Sequence, residues 1–289
     1  MNLFAIVLAL LIEHVWSHTQ KWQARGSFQR YITVMRRFWG DGEFYDGPTG
    51  VFFVLIPIVL VTLFFQQILS YGFLAVLGLF FSVVVLLFTI SSGRLRQQIK
   101  RYIESMSSND EERACDLAAD MLNKAVPIDE GERDKKLIHL LLAKANDKLI
   151  GVLFWFAVLG PVGAVIFRMA VEIKERCELE KEEGGYSSAA WVLYGVLGWL
   201  PAKLTSFIFS VLGSYSNATT LGQAARLQGA GEWINNNQRV LIATGMGSLK
   251  LDNESTVFNN HDVKRVVDLL RNTVIVILFL VALFMTVFW

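Results

Sequence analysis

Apolar residues along this chain fall into long uncharged blocks separated by charged segments. The longest block, Gly47 to Gly93, lies between Asp46 and Arg94 and exceeds the roughly 20 residues that one bilayer-crossing helix needs. It predicts a hairpin of two spans that turns at Gln66, Gln67, Ser70 and Gly72, with no Lys or Arg in the turn, as expected of an external loop. Further uncharged runs cover Leu149–Phe167, Gly184–Ala202, part of Leu204–Ala225, and Asn272–Trp289. Met1–Val15 is shorter and carries Glu13 and His14 near its end, so it reads as a short span or an interfacial helix. Without a basic start or a small-residue cleavage site, it does not read as a removed signal peptide.

The charged segments hold amphipathic patterns. Asn109, with Glu112 three residues on, resembles a capping arrangement. Ala114, Leu117, Ala118, Met121, Leu122 and Ala125 then recur at helical spacing until Pro127, and Leu137, Ile138, Leu141, Leu142 and Ala145 repeat the pattern. Neither strand-like alternation nor an internal repeat is visible. The fold class is therefore all-α: a polytopic helical membrane protein with amphipathic cytoplasmic helices and proline-broken membrane segments. As a single membrane domain it divides into an N-terminal segment (1–47), a transmembrane hairpin (48–92), a helical cytoplasmic segment (93–148), proline-broken membrane segments (149–213), a second cytoplasmic segment (214–270) and a C-terminal span (271–289).

Composition supports this class and excludes others. The chain is 53% apolar and 18% charged, too hydrophobic for an ordinary soluble domain, so the lipid bilayer is its first partner. Twenty-seven Lys and Arg against 26 Asp and Glu leave a net charge of +1, which offers no field for nucleic acid. Cys115 and Cys177 form neither a disulfide framework nor a metal spacing, and no metal or cofactor is expected. Trp16–Gly47 carries five Lys and Arg and Gly93–Lys148 carries eleven, which places both inside. A crossing from Leu149 would then put Glu172–Ser188, with six glutamates against three basic residues, on the outside.

Two segments stand out chemically. In Leu153-Phe154-Trp155-Phe156-Ala157-Val158-Leu159-Gly160-Pro161-Val162-Gly163, Pro161 removes a backbone donor, while Gly160 and Gly163 permit close backbone approach. That predicts a bent or interrupted helix, read either as a packed proline kink or as a break that lines a ligand site. Arg168 follows this run and either snorkels to the surface or binds an anion. The second segment, Gly195 to Leu204, contains Trp199, Pro201 and Lys203. Here a reentrant or kinked element aims Lys203 at a phosphate or carboxylate, or Trp199 and Lys203 simply anchor at the interface. Gly160, Pro161, Gly163, Arg168, Trp199, Pro201 and Lys203 are thus the candidate ligand-binding residues, and an anionic small molecule is the candidate ligand. No catalytic constellation can be assembled from neighbouring positions. Gly245-Met246-Gly247-Ser248-Leu249-Lys250 lacks phosphate-loop spacing and reads as a turn.

Together these two segments resemble the membrane family that contains AmpE, of the β-lactamase induction locus, and the adenosylcobinamide-phosphate synthases. In that family an L-F-W run leads to a G-x-P-G-A-x-x-Y-R-like stretch and then to W-x-P-A-R-L; here the Tyr is Phe167 and the second Arg is Lys203. The specific motifs cover about residues 147 to 205, and the wider resemblance covers most of the chain. The synthases carry an E-N pair where this sequence has Ala143-Lys144, and an N-T-x-D-S run where it has Val171-Glu172-Ile173-Lys174-Glu175. The resemblance therefore implies the AmpE-like branch: a multi-pass bacterial inner-membrane protein tied to β-lactam response and peptidoglycan-recycling signals, with no settled chemistry. A carrier of anionic small molecules and a synthase-type ligase are the alternatives.

Overall fold

The computed structural model describes residues 2–15, 25–39, 47–69, 75–90, 93–122, 127, 129–228, 233–251 and 258–288. The chain expected to form one membrane domain is arranged as two compact units: Met1–Ser91 with Asp147–Pro201 and Leu280–Trp289, and Ser92–Asn146 with Ala202–Phe279. Among the described residues all regular structure is helical. Three stretches among them are long and apolar enough to cross a membrane: Pro48–Leu69, Gly185–Leu212 and Asn260–Leu283.

The first unit holds α1 (Asn2–Val15), α2 (Arg25–Trp39), α3 (Pro48–Leu69) and α4 (Ala75–Thr89). Apolar side chains such as Phe52 and Phe64 on α3 point outward, as lipid-facing positions would. Gln66 and Gln67, expected in the turn of the hairpin, lie within α3, whereas Ser70 and Gly72 fall outside the described residues. α4 spans 15 residues, about 22 Å at 1.5 Å per residue, which is less than the hydrocarbon thickness. The side chains of Glu13 and His14 also lie outside the described residues.

After α5 (Gly93–Ser107), α6 (Glu111–Leu122) and α7 (Glu130–Ala145), a π-helical turn (Asn146–Ile150) leads back into the first unit through α8 (Gly151–Leu159) and α9 (Pro161–Glu180). Between α8 and α9 the chain reverses. Gly160 sits at φ +70°, ψ −154°, a conformation closed to residues with a Cβ, and Pro161 starts α9, where its missing N–H costs nothing. Gly163 permits the close approach that follows, since a Cβ there would lie 2.2 Å from the Trp155 carbonyl oxygen. Lys148 Nζ comes within 3.8 Å of Glu175 Oε1; along one straight helix these residues would stand about 40 Å apart. Leu149–Phe167 is therefore a helical hairpin and not a crossing, which corrects the expectation that Glu172–Ser188 lies across the membrane from Lys148. The expected interruption at Gly160-Pro161 is real, and it is a full reversal.

α10 (Gly185–Leu212) runs unbroken through Pro201, where the sequence suggested a break. Proline leaves the carbonyl four residues earlier without its helical donor. That carbonyl belongs to Leu197, and it accepts a hydrogen bond from Trp155 Nε1 at 2.9 Å. Two sequence segments singled out separately thus meet at one backbone group, and the helix continues because its orphan acceptor is satisfied by a neighbouring indole.

In the second unit α5, α6 and α7 are joined by α11 (Tyr215–Gln228), α12 (Trp233–Ser248) and the first part of α13 (Asn260–Phe288). The amphipathic patterns pack as expected: Ala114, Ala118, Leu137 and Leu142 share a core with Leu241 and Val266. α6 is capped one residue later than expected, by Asp110, whose Oδ1 accepts from the Arg113 N–H at 3.2 Å. Gly245–Ser248, expected as a turn, is the last turn of α12.

Trp155→Phe is expected to leave the Leu197 carbonyl without a donor and to lower stability by about 1–3 kcal/mol. Adding Pro201→Ala restores a backbone donor and should recover most of that loss. Thermal unfolding of the two variants in detergent checks this; no recovery in the double variant would rule out the assigned hydrogen bond.

Candidate functional site

The buried ionisable residues of the first unit gather around α9, which reads Arg168-Met-Ala-Val-Glu172-Ile-Lys174-Glu175-Arg176. Opposite charges four residues apart share a face of an α-helix. Arg168 pairs with Glu172, Lys174 with Glu178 at 3.0 Å, and Arg176 with Glu180 at 2.8 Å. The first of these pairs is completely enclosed, with Arg168 1% and Glu172 0% exposed. The other Glu172 oxygen accepts from Gln29 Nε2 at 2.6 Å, so α2 joins the pair directly.

The reversal at Gly160 brings the π-helical turn beside the same helix. Asp147 and Lys148 are both buried there; Asp147 Oδ1 accepts from the Tyr194 hydroxyl at 2.7 Å, and Lys148 faces Glu175. Lys174 Nζ lies 4.5 Å from the Trp191 ring centroid and 4.9 Å from that of Tyr194, within cation–π range. Three buried cations (Lys148, Arg168, Lys174) thus accompany three buried carboxylates (Asp147, Glu172, Glu175). Such a network balances its charge locally, which is the condition for burying it, because an unpaired ion in a low-dielectric interior costs several kcal/mol.

The other sequence candidates distribute as follows. Gly160, Pro161 and Gly163 form the reversal, where Gln66 from α3 bridges the two helix ends: its Oε1 accepts from the Val162 N–H at 3.3 Å, and its Nε2 donates to the Leu159 carbonyl at 3.5 Å. Arg168 lies two turns into α9. Trp199 is 39% exposed and Pro201 buried, both on α10 in the first unit. Lys203 is exposed and belongs to the second unit. Lys148, Lys174, Glu175, Tyr194 and Gln29 are network members that the sequence reading did not select. The available signal was the run of i,i+4 opposite charges directly after Arg168.

The second unit buries its own polar cluster. The Tyr102 hydroxyl donates to Asp134 Oδ1 at 2.5 Å and accepts from Arg133 Nε at 3.1 Å, while Arg133 Nη1 reaches Cys115 Sγ at 3.1 Å. Burial pushes the Asp134 carboxyl above its ordinary range, against the opposing pull of Tyr102 and Arg133. Nearby, an open cavity of about 560 Å³ is lined by Glu111, Glu130, Asn260 and His261 among others. No group of three or more His, Cys, Asp or Glu is placed to hold a metal ion among the described residues.

The family described as regulatory signalling modulator protein AmpE matches residues 1–288, and the chain belongs to that family. Among curated proteins, a cobalamin biosynthesis protein CobD of Chromobacterium violaceum is 23% identical over 257 residues, covering 84% of this chain and 78% of that protein. No solved structure matches.

Removing one partner of the buried pair is expected to be far worse than removing both. Arg168→Met alone should cost about 3–5 kcal/mol, whereas Arg168→Met with Glu172→Met should be close to neutral or stabilising. Equal losses in the two unfolding curves would contradict the pairing. For Asp134 the sign is as follows: its folded pKa is raised, so its contribution to stability is full below the unfolded value of 3.8 and is lost as pH rises through the folded pKa. The stability of Asp134→Asn relative to the wild type should therefore increase between pH 4 and pH 7 on chemical unfolding. A difference that does not change with pH would contradict the raised pKa.

Proposed function

We propose that this protein is a non-catalytic regulatory component of the bacterial inner membrane, acting in β-lactamase induction and the peptidoglycan-recycling signals that drive it. Its working element is the charge network on the α8–α9 hairpin. Family membership along the chain supports the regulatory role. The observation that carries the choice of element is the enclosed Arg168–Glu172 pair, held from a third helix by Gln29. A structural core of this size has no need of six buried ionisable groups, and apolar residues of similar volume would stabilise it as well or better. The Lys148–Glu175 pair and the Gln29–Glu172 hydrogen bond tie α9 to the π-helical turn and to α2, and such contacts are suited to switching between arrangements because they exchange partners only if the helices move together.

The CobD relative keeps a second reading in view, that of a ligase acting on a corrinoid precursor. The positions that carry polar runs in the synthases hold Ala143-Lys144 and Val171–Glu175 here, and Glu172 is sealed inside its ion pair. Expression of this chain in a synthase-deficient strain is accordingly expected not to restore growth without cobinamide.

The regulatory reading is tested in a bacterium with an inducible β-lactamase and its own copy of this gene deleted. Wild-type protein should restore the normal induction profile after β-lactam exposure. Arg168→Met/Glu172→Met should fail to restore it while reaching the same abundance in the membrane. Unchanged induction on deletion would refute the regulatory role, and full restoration by the double variant would refute the role of the network.

A further inference from the structure

Among the described residues, the amphipathic helix α2 (Arg25–Trp39) packs into the core by one side. Phe28 and Ile32 are buried in the core of the first unit with Val51, Val54 and Leu55 of α3 and Ile173 of α9. The Tyr31 hydroxyl donates to the Val54 carbonyl at 2.9 Å. Val54 lies six residues into α3, about 9 Å along the axis of a helix long enough to cross a bilayer. α2 therefore runs beside the first two turns of a candidate span, the end of it nearest a membrane surface.

Its other side is exposed and of mixed character. Arg30, Val34, Arg37 and Phe38 recur at spacings of four, seven and eight residues, which places them on one face. Val34 is 57% and Phe38 78% exposed. α2 contains no acidic residue. Of its arginines, Arg36 is taken up by Glu180 and Glu182 on the inner side, whereas Arg30 and Arg37 have no acidic partner among the described residues. Cations alternating with outward apolar side chains at interface depth are complementary to a layer that is anionic above and apolar below.

We propose that the outer face of α2 binds anionic phospholipid, with Arg30 and Arg37 on the phosphate-bearing headgroups and Val34 and Phe38 in the upper acyl region. The inner face of the same helix carries Gln29, next to Arg30 in sequence and bonded to Glu172, so lipid occupancy and the buried charge pair act on one rigid element.

The test uses the full-length protein in phosphatidylcholine nanodiscs, with spin-labelled phosphatidylglycerol as the probe and its motionally restricted fraction as the readout. Each surface cation is worth about a fivefold change in anionic-lipid affinity, so Arg30→Gln/Arg37→Gln should weaken binding about twenty-fivefold. Arg30→Lys/Arg37→Lys should retain it. A charge-matched control, Lys136→Gln/Arg226→Gln, removes two exposed cations of the second unit and should leave binding unchanged, and excess soluble glycerol phosphate should not displace the lipid. Unaltered binding in Arg30→Gln/Arg37→Gln would overturn the assignment. So would an equal loss in the control, which would mean a response to net charge alone, or displacement by glycerol phosphate, which would mean a headgroup site without lipid.

Discussion

The reversal at Gly160 is the constraint from which the arrangement of the first unit follows. A chain that turns back after the nine residues of α8 leaves two helix ends whose backbone groups lack intrahelical partners. Each exposed peptide group must then find a protein partner. Gln66 supplies both a donor and an acceptor at the turn. Trp155, carried to α10 by the short helix, answers the carbonyl that Pro201 leaves open. Because α8 returns alongside α9, Asp147 and Lys148 are delivered to the same region as Arg168, Glu172 and Glu175, and the charge network exists only because the chain folds back.

This origin also explains why the network is closed. Six buried ionisable groups concentrated in one region are tolerable only if their charges cancel locally. α9 achieves part of that by its own i,i+4 spacing, and the hairpin partner and α2 complete it. The outcome is that Lys148–Glu175 and Gln29–Glu172 register the π-helical turn and α2 against α9, in addition to apolar packing. Packing alone tolerates small slides, whereas a buried ion pair that is pulled apart exposes both partners to an uncompensated cost.

Much of the fold was legible in the sequence. The all-α class follows from uncharged runs and helical periodicity, and the amphipathic helices of the second unit bury the positions their spacing named, Leu137, Leu142 and Ala118 among them. Gly160-Pro161 was visible as a break, but a break does not disclose whether the chain bends or reverses; that depends on Gly163 meeting the Trp155 carbonyl, a contact between residues eight apart. Pro201 misled in the opposite direction, because the donor that rescues its helix comes from a residue 46 positions away. For the candidate site, Arg168 was identifiable as a cation following an apolar run. Its partner Glu172 was read first as part of an acidic external loop, since charge counting assumes that every long apolar run crosses the membrane. Once that assumption fails at Leu149–Phe167, Glu172 and Glu175 change from solvent-facing residues to core components, while Glu178, Glu180 and Glu183 stay exposed.

The most direct measurement is disulfide trapping of Lys148→Cys with Glu175→Cys in native membranes, on a background in which Cys115 and Cys177 are replaced by Ser. Mild oxidation should convert the monomer efficiently to an internally cross-linked form, because the fold-back brings these two side chains into contact. The same treatment of a membrane-crossing Leu149–Phe167 helix would yield no internal cross-link, and that result would contradict the hairpin and the network built on it.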